Sequence, residues 1–315
     1  MKRSFSREAS RNPDEYWLRG DQFAALQAAG TNAHRLFSSD DAWLERFGPD
    51  LLLSYKHETA RERVLAALPK WTAEHGLEYR RLFGKWLPLQ NADRAAPALL
   101  TGDPALAMET VVEECGMRFG LDFAAGYSAG LFIDQRANRA FVRRAGVRRL
   151  LNTFAYTCSF SVAAALAGAE TMSVDLSKKS IDRGRANFAL NALDAAKHTF
   201  IADDVLDVLP RLARRGEKFN AIMLDPPTFS RGNKGRKWRV EHDFEDLLLA
   251  ALELAAPKAR ILLSTNCTRL NRRALEGISR FCLKFARRAA TFHQEPPLPD
   301  VPAPFAAQTL WLLIG

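Results

Sequence analysis

From about Val147 onward, short apolar runs alternate with stretches whose apolar residues recur every three or four positions. The apolar runs predict buried strands, and the spacing of three and four predicts amphipathic helices. The predicted strands are Arg149 to Phe154, Thr171 to Asp175, Thr199 to Ala202, Asn220 to Leu224 and Arg260 to Thr265. The predicted helices are Phe160 to Ala167, Lys178 to Leu190, Val205 to Arg214, Asp243 to Ala255 and Arg272 to Arg288. This alternation is typical of a mainly parallel sheet that is covered by helices on both faces.

The end of the chain extends this pattern. A Pro-rich EPPLPDVPAP stretch predicts a loop, and the apolar QTLWLLI that follows predicts a last strand on the same sheet. We therefore predict a Rossmann-like, doubly wound α/β domain over residues 146–315. In such a sheet the ligand binds outside the carboxyl ends of the strands.

The first half of the chain shows weaker patterns. Helical spacing at Asp21 to Phe37 and at Thr59 to Glu74 predicts a helical N-terminal segment over residues 1–75. Strand-like runs then predict a smaller α/β module over residues 76–145. Those runs are Glu78 to Pro88, Thr110 to Glu114 and Met117 to Phe123, with a predicted loop at Asn91 to Pro104.

The charge of the chain narrows the class of partner. A net charge of +9 suits a polyanion, because neutralising phosphates supplies affinity independent of base sequence. A basic surface that is merely solvated is the alternative. The basic residues gather in the second half, at Arg136 to Arg149, Arg211 to Lys218, Arg231 to Arg239 and Arg269 to Arg288.

Cysteine spacing and hydropathy exclude several other classes. The four cysteines are far apart and form no CxxC pair, which predicts free thiols and no metal site. The sequence has no apolar run long enough for a membrane span, and its first residues lack the apolar stretch of a secretory signal. These features predict a cytoplasmic protein that does not enter a membrane, and they leave the oligomeric state open.

Acidic residues follow three successive predicted strands. Asp175 comes after the second strand, Asp204 after the third and Asp225 after the fourth. An acid after the second strand is well placed to accept both ribose hydroxyls of a nucleoside. Although aspartate also ends strands for reasons of turn formation, three acids in phase favour a nucleoside site.

Four segments together resemble a known family, the class I methyltransferases related to the large-subunit ribosomal RNA methyltransferases I and K. They are GYSAGLFIDQRANRAFV (126–142), LLNTFAYTCSFSVAAALAGAETMSVDLSKKSIDRGRANFALNAL (150–193), DDVLDVLPRLARRGEKFNAIMLDPPTFSRG (203–232) and LLSTNC (262–267). The resemblance implies a cytoplasmic enzyme with S-adenosylmethionine as cofactor and RNA as substrate. The RNA-binding PUA domain that often precedes this arrangement is not evident.

The resemblance also implies the site residues. Asp175 would hold the ribose, Asp204 the adenine amino group, and Asp225, Pro226 and Pro227 would line the target base. The full set implied for the cofactor is Gln135, Arg136, Phe154, Tyr156, Thr157, Cys158, Ser159, Asp175, Leu176, Ser177, Asp203, Asp204, Val205 and Asp225. The chain departs from the family at Thr157-Cys158-Ser159, where Thr-Gly-Gly is usual. Glycine permits a positive φ at little cost and Cys or Ser does not, so the departure predicts weaker cofactor binding or lost activity.

The loop after Asp225-Pro226-Pro227 interleaves basic residues with an aromatic ring, as single-stranded nucleic acid requires. Its candidate RNA-binding residues are Arg231, Lys234, Arg236, Lys237, Trp238 and Arg239. A solvated, flexible loop is the alternative interpretation.

Cys267 bears on the reaction. In the family, a cysteine at this position is the nucleophile of the cytosine-C5 branch, and the guanine-N7 branch has none. Cytosine C5 needs a thiolate at C6 before it can accept a methyl group, whereas guanine N7 needs mainly orientation. The DPPTFS segment resembles the N7 branch more, and a buried, inert thiol is the third interpretation. We expect C5 slightly ahead of N7.

Other functions stay open. One alternative is a non-catalytic RNA-binding protein with a degenerate cofactor site, and another is a methyltransferase for a protein or a small molecule. A dehydrogenase is disfavoured because the first strand-turn has no G-x-G-x-x-G.

Overall fold

The computed structural model describes residues 15–88, 95–232, 235 and 237–315. The chain forms two compact units. Of the described residues, the first unit comprises 15–88, 95–110, 123–129 and 299–305, and the second comprises 111–122, 130–232, 235, 237–298 and 306–315. None of the helices within the described ranges is long and apolar enough to cross a membrane.

The first unit is built on a six-stranded sheet in the order β1-β2-β3-β4-β5-β6. Its strands are β1 (Tyr16–Trp17), β2 (Ala33–Ser38), β3 (Ala42–Phe47), β4 (Asp50–Tyr55), β5 (Arg81–Trp86) and β6 (Ala98–Thr101). The helices α1 (Gly20–Ala28) and α2 (Glu58–His75) pack on its apolar face. Helix α2 begins where the His57 ring accepts a hydrogen bond from Ala60 N, and it ends at the left-handed Gly76.

The first unit contains strands within the segment that the sequence predicts to be helical. Strands β2 to β4 occupy residues 33–55, where the sequence predicts the end of a helix and no sheet. These strands bury charged residues that pair with one another; for example, the Arg35 guanidinium lies 3.2 Å from the Glu45 carboxylate. Paired, buried charges hide the alternation that identifies a strand. Strand β6 likewise lies inside the predicted loop, part of which falls outside the described residues.

The second unit confirms the predicted doubly wound α/β fold. Its seven-stranded sheet has the order β11-β10-β9-β12-β15-β17-β16, and β9 to β12 and β15 are parallel. Strand β17 runs antiparallel to both of its neighbours. The sheet strands are β9 (Arg149–Thr153), β10 (Glu170–Asp175), β11 (Thr199–Ala202), β12 (Phe219–Leu224), β15 (Ala255–Thr265), β16 (Ala290–His293) and β17 (Gln308–Ile314).

Six helices and two hairpins complete the described part of this region. The helices are α3 (Arg136–Arg144), α4 (Ser159–Leu166), α5 (Lys178–Leu190), α6 (Val205–Arg214), α7 (Val240–Leu254) and α8 (Arg272–Phe285). The hairpins pair β7 (Glu109–Glu114) with β8 (Met117–Asp122), and β13 (Phe229–Arg231) with β14 (Lys237–Arg239). Because the central strands are parallel, the turns after β9, β10, β11, β12 and β15 meet at one edge of the sheet.

Candidate cofactor and catalytic site

The turn between β9 and α4 has an unusual backbone. Phe154, Tyr156 and Cys158 all have positive φ angles, of 52°, 46° and 61°. Several hydrogen bonds hold the turn. Tyr156 N donates to Asp175 Oδ2 over 2.8 Å, the Thr157 hydroxyl donates to the Gly130 carbonyl over 2.6 Å, and Asn187 Nδ2 donates to the Thr157 carbonyl over 2.9 Å. Left-handed backbone in non-glycine residues costs roughly 1 kcal/mol or more each and persists only where the surroundings impose it.

Cys158 adopts the left-handed conformation that glycine would take at no cost. Its side chain is fully buried against α5, where a Cβ on Gly184 would come within 2.3 Å of Cys158 Sγ. Burial raises the pKa of the Cys158 thiol to about 12, so the group stays a neutral thiol. The departure from the family's Thr-Gly-Gly therefore keeps the glycine-like turn and is accommodated by a glycine on the neighbouring helix.

Asp175 ends β10 and presents an oriented carboxylate. Oδ2 accepts from Tyr156 N and Oδ1 accepts from Ser177 N, each over 2.8 Å. Burial raises the pKa of Asp175, and these two backbone donors act in the opposite direction. Each oxygen has a further lone pair, so the carboxylate can still accept two hydroxyl groups. The adjacent Leu176 leaves 44% of its surface exposed and adds an apolar side chain beside the carboxylate.

The next acids lie between β11 and α6. Asp204 is buried and caps α6, because its Oδ1 accepts a hydrogen bond of 3.0 Å from Leu206 N. Asp203 donates its backbone N–H to the Asp175 carbonyl over 3.0 Å, and its carboxylate pairs with Arg211. Val205 is the buried first residue of α6. A small cleft opens here between Phe154, Asp204, Leu206, Ser230, Gly232 and Trp238.

Asp225 directly follows β12 at the same edge of the sheet. Burial raises the pKa of Asp225 to about 6, and Asp134 acts in the same direction. A hydrogen bond from Ser264 and the positive charge of Arg139 act in the opposite direction. Pro226 is buried, and Pro227 is exposed with its carbonyl accepting from Trp238 Nε1 over 2.8 Å. An acid with this pKa can exchange a proton near neutral pH.

Cys267 lies just beyond β15, the strand next to β12. It is 5% exposed, and its Sγ donates to Glu241 Oε1 over 3.3 Å. That hydrogen bond lowers the pKa of Glu241, and the guanidinium of Arg269, 3.2 Å from the other carboxylate oxygen, adds to the effect. The thiol thus has an ionised proton acceptor within contact distance.

Three predicted site residues are buried in the structure. The amide of Gln135 is hydrogen-bonded to Ser264 and to Asn138. Arg136 is also buried, 3.7 Å from Glu114. Trp238 is only 3% exposed and packs in the core against Phe154, so it does not stack on RNA from the surface. A tryptophan in a basic stretch gives no sequence signal of burial.

The β13–β14 hairpin still presents a basic face. In its register Phe229 pairs with Arg239 and Arg231 pairs with Lys237, while Ser230 and Trp238 point to the other side. All four residues of the first face are exposed, and Phe229 leaves 41% of its surface accessible. Among the described residues of this face, Phe229 is therefore the aromatic ring, and the sequence pattern alone does not indicate it. Lys234 and Arg236 lie outside the described residues.

The structure adds Gly184, Ser264 and Glu241 to the site. Ser264 lies within the LLSTNC segment, but the sequence does not show which way its side chain points. The sequence gives a weak indication for Gly184, because a glycine in a helix interior costs about 1 kcal/mol relative to alanine and usually has a packing reason. It gives no indication for Glu241, because the contact with Cys267 joins two distant parts of the chain.

Comparison with known proteins gives one family. The sequence model of the S-adenosylmethionine-dependent methyltransferases matches residues 45–310. YwbD of Bacillus subtilis, provisionally named a ribosomal RNA large subunit methyltransferase, is 29% identical over 290 residues, covering 87% of this chain and 71% of YwbD. Ribosomal RNA large subunit methyltransferase I of Escherichia coli O139:H28 is 33% identical over 256 residues, covering 78% of this chain. The chain spans 63% of that E. coli relative, which is less than two thirds of its length.

A solved structure supports the fold. A protein provisionally described as a methyltransferase and crystallised with SAH superposes with a TM-score of 0.80 at 24% identity. The superposition covers 94% of this chain and 78% of that protein. At this level of identity the likeness extends to the fold alone.

Proposed function

The chain belongs to the S-adenosylmethionine-dependent methyltransferases, and we propose that it transfers the methyl group of this cofactor to a base of RNA, most directly of large-subunit ribosomal RNA. The observation that carries the proposal is the position of Asp225. This titratable acid leads, within the same turn, into a hairpin whose exposed face combines Phe229 with basic side chains. The names of the E. coli and B. subtilis relatives support ribosomal RNA as the substrate. A cytoplasmic location is part of the same proposal, because an RNA substrate is met there.

The cofactor fits the edge formed by β9, β10 and β11. It supplies an electrophilic methyl group on a sulfonium ion. The Asp175 carboxylate, already aligned by two backbone donors, would accept the ribose hydroxyls. The cleft beside Phe154, Leu206 and Trp238 would take the flat adenine ring, with Asp204 at its border. Leu176 would lose its exposed apolar surface to the same ligand.

RNA would approach over the β13–β14 hairpin. Arg231, Lys237 and Arg239 would contact phosphates, and Phe229 would stack on a base. Among the described residues, this arrangement differs from the expectation based on the sequence in the aromatic residue, which is Phe229 in place of Trp238. It disfavours a protein or a small molecule as the substrate, because neither requires a basic face with an exposed ring.

Cytosine C5 is the target atom that we favour, with Cys267 as the nucleophile. C5 becomes nucleophilic only when a thiolate adds to C6 of the same ring. The Glu241 carboxylate, 3.3 Å from Cys267 Sγ, can take the thiol proton as the sulfur–carbon bond forms. After C5 carries the new methyl group, the Asp225 carboxylate would accept the C5 proton, and the thiolate would leave as the aromatic ring is restored. Guanine N7 is the alternative target, and it has no use for either Cys267 or Glu241.

A covalent trap distinguishes the two target atoms. With RNA that contains 5-fluorocytosine, C5 has no proton to lose after methylation, so the wild-type protein should remain attached through Cys267 and migrate as a heavier band. Cys267→Ala should form no adduct and no methylated product. Cys282→Ala, which removes another buried thiol, is the matched control and should behave as wild type. Normal turnover by Cys267→Ala would reject the nucleophile and leave N7 as the target.

The proposed activity itself is tested with methyl-labelled S-adenosylmethionine and purified RNA. Label should enter the RNA and should require Asp225. A protein that binds RNA but neither binds the cofactor in calorimetry nor transfers label would be the non-catalytic RNA-binding protein instead. Label that enters protein or a small molecule would reject RNA as the substrate.

A further inference from the structure

A chain of buried side chains runs from β17 to Asp225. Trp311 Nε1 donates to Asn138 Oδ1 over 2.8 Å, and Asn138 Nδ2 donates to Gln135 Oε1 over 2.9 Å. Gln135 Nε2 then donates to Ser264 Oγ over 3.0 Å. Ser264 lies beside Asp225 at the ends of neighbouring strands, because Leu263 and Leu224, the residues before them, pair in the parallel register. The four residues before Asp225 are at most 3% exposed.

This series of hydrogen bonds has a fixed direction from donor to acceptor. An indole N–H can only donate, so Asn138 must turn its carbonyl oxygen toward Trp311 and its NH₂ group toward Gln135. Gln135 must then turn its oxygen toward Asn138 and its NH₂ group toward Ser264. One lone pair of the Ser264 hydroxyl is occupied by Gln135, which leaves its single proton for the Asp225 carboxylate.

We propose that this relay of Trp311, Asn138, Gln135 and Ser264 positions the Asp225 carboxylate for the methyl-transfer reaction, with Ser264 as the residue that delivers the hydrogen bond. The inference rests on the proposed role of Asp225 at the target base. Ser264 and the residues behind it act through Asp225 and touch no substrate, so they are positioning residues.

Physical cost argues for a role beyond packing. Burying an amide and a hydroxyl is expensive unless they are hydrogen-bonded, and apolar side chains of the same shape can fill a core with less penalty. A second buried network in this unit, in which Asn152 donates to Ser161 and Ser161 pairs with Ser173, does not include a site carboxylate. The relay, in contrast, ends at a hydroxyl that accepts from Gln135 and lies beside the site carboxylate Asp225.

The relay also affects the pKa of Asp225. Burial and the nearby Asp134 raise the pKa of Asp225, while Ser264 and Arg139 lower it. Without the Ser264 hydroxyl, Arg139 alone would oppose the first two, and the carboxyl would hold its proton to higher pH.

The test compares Ser264→Ala with Ser161→Ala, which removes a fully buried hydroxyl from the other network. The titration of Asp225 is followed by carboxyl-carbon NMR, with its signal assigned from Asp225→Asn. In Ser264→Ala we expect the midpoint to move to higher pH by about one pH unit, and the acid limb of the methyl-transfer profile to move with it. KM for S-adenosylmethionine should stay within about twofold, because the relay does not contact the cofactor site. Ser161→Ala should leave both curves in place.

Gln135→Met provides a second variant should Ser264→Ala fold poorly. It removes the donor that fixes the Ser264 hydroxyl, so the midpoint should move in the same direction by a smaller amount. An Asp225 midpoint unchanged in Ser264→Ala, or moved equally by Ser161→Ala, would overturn the relay. An NMR shift with an unchanged pH–rate profile would overturn its part in the reaction. Because the NMR titration needs no substrate, its outcome is separate from a failure of the proposed RNA methylation.

Discussion

The contact between Cys158 and Gly184 can be tested by its energetic coupling. A Cβ at position 184 would lie 2.3 Å from Cys158 Sγ and 2.9 Å from Cys158 Cβ, distances that force the turn or the helix to move. Overpacking of this kind costs about 3 kcal/mol at the upper end of its usual range. Replacing a helical glycine by alanine returns about 1 kcal/mol. Gly184→Ala should therefore lower the free energy of unfolding by roughly 2 kcal/mol.

The same substitution should have the opposite sign when Cys158 is glycine. The nearest remaining atom, the carbonyl carbon of Thr157, is 3.5 Å from the added Cβ, which is an ordinary contact. Gly184→Ala should then stabilise by about 1 kcal/mol, which makes the coupling between the two positions about 3 kcal/mol. Cys158→Gly alone should be nearly neutral, because relief of the left-handed backbone, about 1 kcal/mol, offsets the loss of a small buried side chain.

Urea unfolding of the four proteins in this cycle measures the coupling. Gly277→Ala in α8 is the matched control, since an added Cβ there meets no atom within 4 Å. It should stabilise by up to about 1 kcal/mol in either background. If Gly184→Ala has the same effect with Cys158 and with glycine at position 158, Cys158 does not require the space that Gly184 leaves, and the proposed contact is refuted.

Further predictions concern the ligands and pH. Asp175→Ala should weaken S-adenosylmethionine binding by roughly 2 to 4 kcal/mol in calorimetry, and unchanged affinity would reject this carboxylate as the ribose acceptor. Phe229→Ala should weaken RNA binding by about 1 to 3 kcal/mol without altering stability. Trp238→Ala should lower the free energy of unfolding by about 3 to 5 kcal/mol. Weakened RNA binding with unchanged stability in Trp238→Ala would contradict the burial of Trp238. Because the pKa of Asp225 is raised to about 6 in the folded protein, its ionisation destabilises the fold as pH rises from about 4 to 6. The free energy of unfolding of Asp225→Asn, measured relative to wild type, should therefore be more favourable at pH 8 than at pH 4. The same difference at both pH values would count against the raised pKa.

The doubly wound unit could be predicted because its strands are buried on both faces. Such strands read as continuous apolar runs, and α5, α6, β11 and β17 have the predicted bounds. Strand β15 begins earlier than predicted, at Ala255, because an irregular stretch around Lys258, with φ of 58°, interrupts its apolar pattern. In the first unit, buried polar residues such as His34 and Arg35 conceal the strands.

The candidate site was predictable where it depends on strand ends and was hidden where it depends on contacts across the fold. Asp175, Asp204 and Asp225 lie at the predicted edge because the parallel strands that precede them end there. Whether a side chain faces the ligand is decided by tertiary packing. Gln135 and Trp238 turn into the interior for that reason, and Phe229 turns outward.

Nucleoside mass spectrometry of ribosomal RNA, from cells with and without the gene, tests RNA methylation most directly. We predict that one methylated base of the large-subunit RNA, 5-methylcytidine in our favoured mechanism, disappears in the deleted strain. Wild-type protein should restore it, and the Asp225→Asn variant should not. An unchanged set of methylated nucleosides in the deleted strain would contradict the proposal that this methyltransferase acts on ribosomal RNA.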